Sequence, residues 1–290
     1  MVFPEGLDRR LKICYNRSME IKEFKIKARD GGEVGICFYP SEQKNAPLLL
    51  EIHGGGFCCG KASDDQTACI DLAQKTGFSV ASIDYRLAPK YPFPTPLYDC
   101  YDAYEWLLHS DYSDFPFDRG KIFAVGYSAG ANAVAGLALL HANLRAVALL
   151  YPGLNFYDHR RPYVPFGFFR FQLERFSRKY CPEKEMRKNP LVSPLYAPKE
   201  ALMQFPPAYI LTCGQDCLRV DGIEFAKKLR QAGGTVEYEE YARARHGFFE
   251  EVQSGRAKPN LYTSRKTVRE HERCYADALD KITEFFLRKN

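Results

Sequence analysis

The sequence has 290 residues, 46% of them hydrophobic and 27% charged, enough for one large domain with a sizeable core and too apolar for a disordered chain. Its 41 basic and 36 acidic residues leave a net charge of +5, interspersed apart from a modest cluster at Arg243, Arg245, Arg256, Lys258, Arg265 and Lys266, so nucleic acid is not an expected partner. No run approaches the roughly 18 consecutive apolar residues of a membrane span, and Met1 to Arg10 lacks a basic stretch followed by an apolar one, which predicts no membrane association, no signal peptide and a cytoplasmic location.

In chain order, Ile21 to Ala28 and Val34 to Tyr39 alternate apolar and polar residues around Asp30-Gly31-Gly32, the pattern of an edge hairpin. Pro47 to His53 is a continuous apolar run opening into Gly54-Gly55-Gly56, as a central strand ending in a glycine loop would be. A helix is predicted from Ser63, as its N-cap, to about Lys75, and a buried strand over Ser79 to Tyr85. The prolines of Leu87 to Pro94 require an extended loop. Leu97 to His109 returns as helix, and Asp118-Arg119-Gly120 turns into the strand Lys121 to Val125. An alanine- and leucine-rich helix from Ala129 to His141, enclosing His141, and a strand from Arg145 to Tyr151 follow. Residues 155–205 then lose the strand-helix rhythm and fill with aromatics and arginines, with one helix near Arg170 to Tyr180, which reads as an inserted lid. The rhythm resumes with strand Ala208 to Cys213, helix to about Gln231, strand Val236 to Tyr241 and a last helix from about Val268. This predicts an α/β fold with a mostly parallel sheet covered on both faces, its core split into residues 1–154 and 206–290 around the lid.

Gly126-Tyr127-Ser128-Ala129-Gly130 fits G-x-S-x-G between a strand and a helix, a turn so sharp that the serine hydroxyl stands in the open. His53-Gly54-Gly55-Gly56 adds a loop of bare backbone donors suited to an oxyanion. A serine becomes a nucleophile when a histidine takes its proton and an acid fixes that histidine's tautomer. With the order serine, acid, histidine, His159 falls in the lid and His271 in the last helix, leaving His246. Asp216, directly after a strand, is favoured as the acid over Asp221, whose other reading is a helix N-terminal charge. Of the 10 cysteines, Cys58-Cys59 are adjacent and Cys213 and Cys217 lie close, but no second pair completes a zinc spacing, so reduced thiols and no metal are expected.

Together with Asp84-Tyr85-Arg86-Leu87-Ala88-Pro89, Ser193-Pro194-Leu195 and His246-Gly247-Phe248, these motifs resemble the hormone-sensitive-lipase-like carboxylesterases of the α/β-hydrolase fold. The resemblance implies ester hydrolysis without a cofactor, with Ser128 as nucleophile, Asp216 as acid and His246 as base. It implies oxyanion donors at the backbone N–H groups of Gly55, Gly56 and Ala129, and a loop-ordering role for His53. The chain departs from the family pattern at Tyr127 and Ala131, where aspartate and glycine are usual, and at Cys217 and Val220 in the acid loop. A carboxylate is thereby lost beside the nucleophile, so the elbow must be braced differently. The short N-terminal segment suggests a reduced lid. A small ester with a short acyl group is the expected substrate, with an acetylated sugar suggested by the lid arginines. An amidase or formamidase would use the same triad, and a non-catalytic binding relative would lack the histidine that His246 supplies. The oligomeric state stays open, a homodimer included, and Glu251 to Arg269 has no assigned role.

Overall fold

Continuous apolar runs form the middle of a sheet, and alternating ones form its edge. In a computed structural model, which describes residues 21–109, 115–158, 167–259 and 263–290, with side chains of the third stretch from residue 171 onward, the strands are β1 (Lys22–Lys27), β2 (Glu33–Tyr39), β3 (Ala46–Ile52), β4 (Ser79–Asp84), β5 (Phe117–Tyr127), β6 (Ala146–Leu150), β7 (Ala208–Gln215) and β8 (Val236–Arg245). They form one eight-stranded sheet in the order β1-β2-β4-β3-β5-β6-β7-β8. The predicted hairpin is the antiparallel edge, β1 on β2 and β2 on β4. From β4 onward every pairing is parallel, so each link must cross a face, and a helix does most of the crossing.

The helices are α1 (Gln66–Thr76), α2 (Thr95–His109), α3 (Ala129–Leu139), α4 (Gly167–Tyr180), the single turn α5 (Lys199–Leu202), α6 (Arg219–Gln231), α7 (Phe248–Gln253) and α8 (Arg265–Lys289). Successive strand residues point to opposite faces, and two cores result. Leu48, Leu50, Ile52 and Ala124 pack with α2, α3 and α6. Leu49, Val125, Tyr127 and Leu150 pack with α1, α7 and α8. Among the described residues no helix is long and apolar enough to cross a membrane, and the nine described cysteines are free thiols.

Several boundaries differ from the sequence reading. Ser63 is not an N-cap: Ala62 N–H donates to Asp84 Oδ1, and the chain tightens into a 3-10 turn over Ala62–Asp65 before α1 begins. Asp118-Arg119-Gly120 is not a turn ahead of β5 but an irregularity within it, where Pro47 pairs Asp118 and the next residue, Leu48, pairs Ile122. Asp118 Oδ1 accepts from Gly120 N–H, so turn chemistry is satisfied inside the strand. His141 lies just beyond α3, at φ 60°. The polar link after His246 contains α7, and α8 starts earlier than expected, with Ser264 Oγ accepting from Thr267 N–H. Such a six-residue helix is too short for periodicity to reveal. His159 and the N-terminal segment lie outside the described residues.

Candidate active site

Ser128 stands between β5 and α3 at φ 55° and ψ −110°, a conformation that non-glycine residues rarely hold. Two glycines permit it. A Cβ on Gly126 would come 2.4 Å from the Gly130 carbonyl, and one on Gly130 would come 1.9 Å from the Ile52 carbonyl, so the helix presses directly on the strands at the turn. The backbone is locked further by Ser128 N–H donating to Leu150 O at 2.9 Å and by Gly153 N–H donating to Ser128 O at 3.3 Å. Buried Asn132, one turn along α3, donates to the carbonyls of Gly153 and Val192 at 2.8 and 3.0 Å.

The structure brings the sequence-predicted acid and histidine to this serine. Ser128 Oγ lies 2.9 Å from His246 Nε2, and His246 Nδ1 lies 2.7 Å from Asp216 Oδ2. Asp216 Oδ1 accepts from Leu218 N–H at 2.8 Å, which fixes the carboxylate while its other oxygen faces the ring. The imidazole keeps an open edge on a cavity, with 37% of its side chain exposed, whereas the Asp216 side chain is fully buried. Burial pushes the imidazole toward its neutral form, but the charge and hydrogen bond of Asp216 outweigh it, and Glu250 and Glu251 add to them, so its pKa is raised. Asp221 does different work. From the first turn of α6 its Oδ2 accepts the N–H groups of Leu154 and Asn155 at 2.9 and 3.0 Å, bracing the loop after β6.

Gly55, Gly56 and Ala129 line the same cavity as Ser128 and His246. Gly55 and Gly56 have φ of 109° and 62°, and a Cβ on Gly55 would strike Cys59 O at 2.0 Å, so only glycine keeps this loop tight. Ala129 is the first residue of α3, and the first N–H groups of a helix lack a partner within it. His53 sits behind the loop. Its Nδ1–H donates to Gly54 O at 2.7 Å, its ring stacks on Tyr85 at 4.1 Å, and burial lowers its pKa, which keeps it neutral. Tyr85 in turn donates to His53 O at 3.0 Å. Arg86 grips Asp99 through Nε at 2.9 Å and Nη2 at 2.6 Å and so pins the proline loop.

The cavity measures about 330 Å³. Its far wall is α4, through Gln172, Leu173, Phe176 and Ser177, with Phe156 and Leu218 beside it. Among the other described rings of residues 155–205, Tyr180 ties the segment to the core by stacking on Phe57 at 3.8 Å, and Tyr157 meets Tyr196 edge-on at 6.1 Å within it. Ser193 Oγ accepts from Phe156 N–H at 2.8 Å, which is what the Ser-Pro-Leu motif contributes.

Two residues of the site were missed in the sequence, Tyr151 and Glu250. Tyr151, fully buried at φ 37°, meets the His246 ring edge-on at 5.2 Å and donates its hydroxyl to Glu250 Oε2. Glu250 lines the cavity. No local signal marks either of them, since α7 begins only at Phe248, beyond His246 and the left-handed Gly247.

Residues 49–250 match a family described by the alpha/beta hydrolase fold. The chain is 32% identical over 226 residues to an arylesterase of Saccharolobus solfataricus, covering 74% of this chain and 72% of that protein. It is 30% identical over 243 residues to an ethyl acetate hydrolase of Pseudomonas putida, covering 79% and 75%. Among solved structures, an esterase of Pyrobaculum calidifontis matches with a TM-score of 0.77 at 26% identity, over 93% of this chain and 85% of that one. Sheet order, elbow and family match agree, and the chain belongs to the α/β-hydrolase fold family, in its hormone-sensitive-lipase-like branch.

Proposed function

We propose that this carboxylic ester hydrolase works through Ser128 and an acyl-enzyme intermediate, and that it acts on esters of short acyl groups. The observation that carries the reading is the unbroken chain from Ser128 Oγ through His246 to Asp216, at 2.9 and 2.7 Å, on the wall of the cavity that holds Gly55, Gly56 and Ala129. Ser128 Oγ attacks the ester carbonyl carbon as His246 Nε2 takes its proton. Asp216 holds the imidazole in the tautomer whose Nε2 is free to accept, and stabilises the cation that forms. The carbonyl oxygen becomes an oxyanion, stabilised by the N–H groups of Gly55, Gly56 and Ala129, each such donor being worth about 100- to 1000-fold in rate. His246 then protonates the departing alkoxide oxygen, and the alcohol leaves. A water molecule, deprotonated by the same nitrogen, releases the acid and restores Ser128.

The short-acyl preference is supported by the cavity, whose volume of about 330 Å³ beside Leu173 and Phe176 suits a small ester. Similarity to an ethyl acetate hydrolase and an arylesterase favours the same reading. Among the described residues, the segment's arginines give an acetylated sugar no support. Arg187 is buried, donating to Cys181 O at 2.8 Å and to Glu174, and no described arginine lines the cavity. The test is hydrolysis of p-nitrophenyl acetate, butyrate and octanoate beside matching amides, by the protein and by Ser128→Ala. Short esters are expected to be cleaved fastest, with activity lost in the variant. Unchanged activity in Ser128→Ala would remove the nucleophile, and a preference for octanoate would remove the short-acyl reading.

A further inference from the structure

Glu250 stands outside the relay just described, yet it is built into the site. A Cβ on Gly54 would lie 2.9 Å from Glu250 Oε1 and 3.6 Å from Ser128 Cβ, so the glycine leaves room for a carboxylate next to the nucleophile. The other oxygen, Oε2, accepts the Tyr151 hydroxyl, and the ring of that tyrosine lies edge-on to His246 at 5.2 Å. One fixed carboxylate thus approaches the serine-histidine pair from a side that Asp216 does not occupy.

We propose that Glu250, held by Tyr151, is a positioning residue that stabilises the His246 cation formed during turnover, as a second carboxylate arm alongside Asp216. This rests on the reading of Ser128 and His246 as nucleophile and base. A negative charge near an imidazole favours its protonated form. The groups around His246 are few. Asp216 reaches it from the loop after β7, Glu250 and Glu251 from α7, Ser128 from β5 and Tyr151 from the end of β6. Glu250 itself faces the Tyr151 hydroxyl, His246 and, from the link after α7, Arg256, with Glu51, Asp65 and Cys213 behind it. Burial raises its carboxyl, against the opposing pull of the Tyr151 hydrogen bond, the His246 charge and Arg256. The Glu251 carboxylate is turned the other way, toward His271 Nδ1 at 3.5 Å.

The experiment compares Glu250→Gln, Tyr151→Phe, the double variant and Ser128→Ala through pH profiles of kcat and kcat/KM. In Glu250→Gln the amide oxygen can still accept from Tyr151, so packing is kept while the charge is lost. Its kcat is expected to fall by about tenfold with KM within about twofold, and the acid limb of kcat/KM to move about one pH unit lower. Tyr151→Phe is expected to move the limb in the same direction by less, because a carboxylate without its donor holds a proton more firmly. The double variant should be no worse than Glu250→Gln. Ser128→Ala separates the two readings, since its inactivity upholds the nucleophile whatever Glu250 does. An acid limb that stays put in both single variants overturns the proposal, as does a loss in KM alone; should Glu250→Gln not fold, Tyr151→Phe decides the matter by the same limb.

Discussion

The ring of Tyr127 lies stacked on the ring of Phe249, with centroids 5.1 Å apart and planes 24° from parallel. Tyr127 immediately precedes Ser128, and Phe249 lies three residues after His246. Both are fully buried. The elbow is therefore braced by aromatic packing onto α7, where the family pattern has a carboxylate. The contact ties the serine's strand to the histidine's helix.

Among the described residues the buried hydroxyl of Tyr127 finds no hydrogen-bond partner, and such a group costs about 1–3 kcal/mol. Tyr127→Phe is expected to keep full activity and to be more stable by roughly 1 kcal/mol, near 2 °C in Tm for a chain of this size. Phe249→Ala should lose about 3–5 kcal/mol and much of kcat. Calorimetry with steady-state assays checks both, and a Tyr127→Phe protein that melts lower would show that the hydroxyl has a partner after all.

Asp216 and Asp221 should part company in mutants. Asp216→Asn is expected to fold normally but to lose about 10,000-fold in kcat, because the amide favours the wrong histidine tautomer. Asp221→Asn should keep most activity and lose about 2 kcal/mol of stability, since a carboxylate that serves two N–H groups becomes a weaker acceptor. A reversed pattern would make Asp221 the acid.

Behind the elbow, the buried carboxyls of Glu51 and Asp65 lie in one cluster, Glu51 accepting from Ser82 and Cys69 and Asp65 from Gln253. Burial raises both carboxyls. Unfolded carboxyls titrate near pH 4, so above that pH the unfolded chain releases protons that the folded pair retains. The pair's contribution to stability is thus fullest below about pH 4 and declines as the pH climbs through neutrality. Glu51→Gln removes one of these protons and should flatten the dependence, giving a Tm that falls less between pH 5 and pH 8 than that of the unaltered protein. Parallel Tm curves would show that the cluster keeps no extra proton.

Phe176 of α4 closes the cavity over Gly56, where an added Cβ would lie 2.6 Å from its ring. Phe176→Ala should raise kcat/KM for octanoate relative to acetate by roughly tenfold, about the worth of one or two newly accommodated methylenes. A ratio that does not move would place the acyl chain elsewhere in the cavity.

That Ser128, His246 and Asp216 meet was legible in the sequence because each is announced locally: glycines beside the serine, a strand running into Asp216, a loop at His246. The two central cores were legible from continuous apolar runs. Tyr151 and Glu250 were not, because their meeting depends on where the end of β6 and a single short helix come to rest against each other. Ser63 misled for a related reason. It has the chemistry of a cap, but Ala62 N–H was already engaged by Asp84, a residue far along the chain.

The stack of Tyr180 on Phe57 joins two jobs in one piece of chain. Tyr180 ends α4, the wall of the cavity, and its carbonyl also accepts from Phe93 N–H at 2.6 Å. Phe57 follows the glycines directly, at φ 60°. Any motion that swings this wall outward to admit a bulkier ester must therefore pull on the loop that carries the proposed oxyanion donors. Room for substrate and stabilisation of the transition state are mechanically opposed here, and a wider cavity gained by loosening α4 comes with slower chemistry.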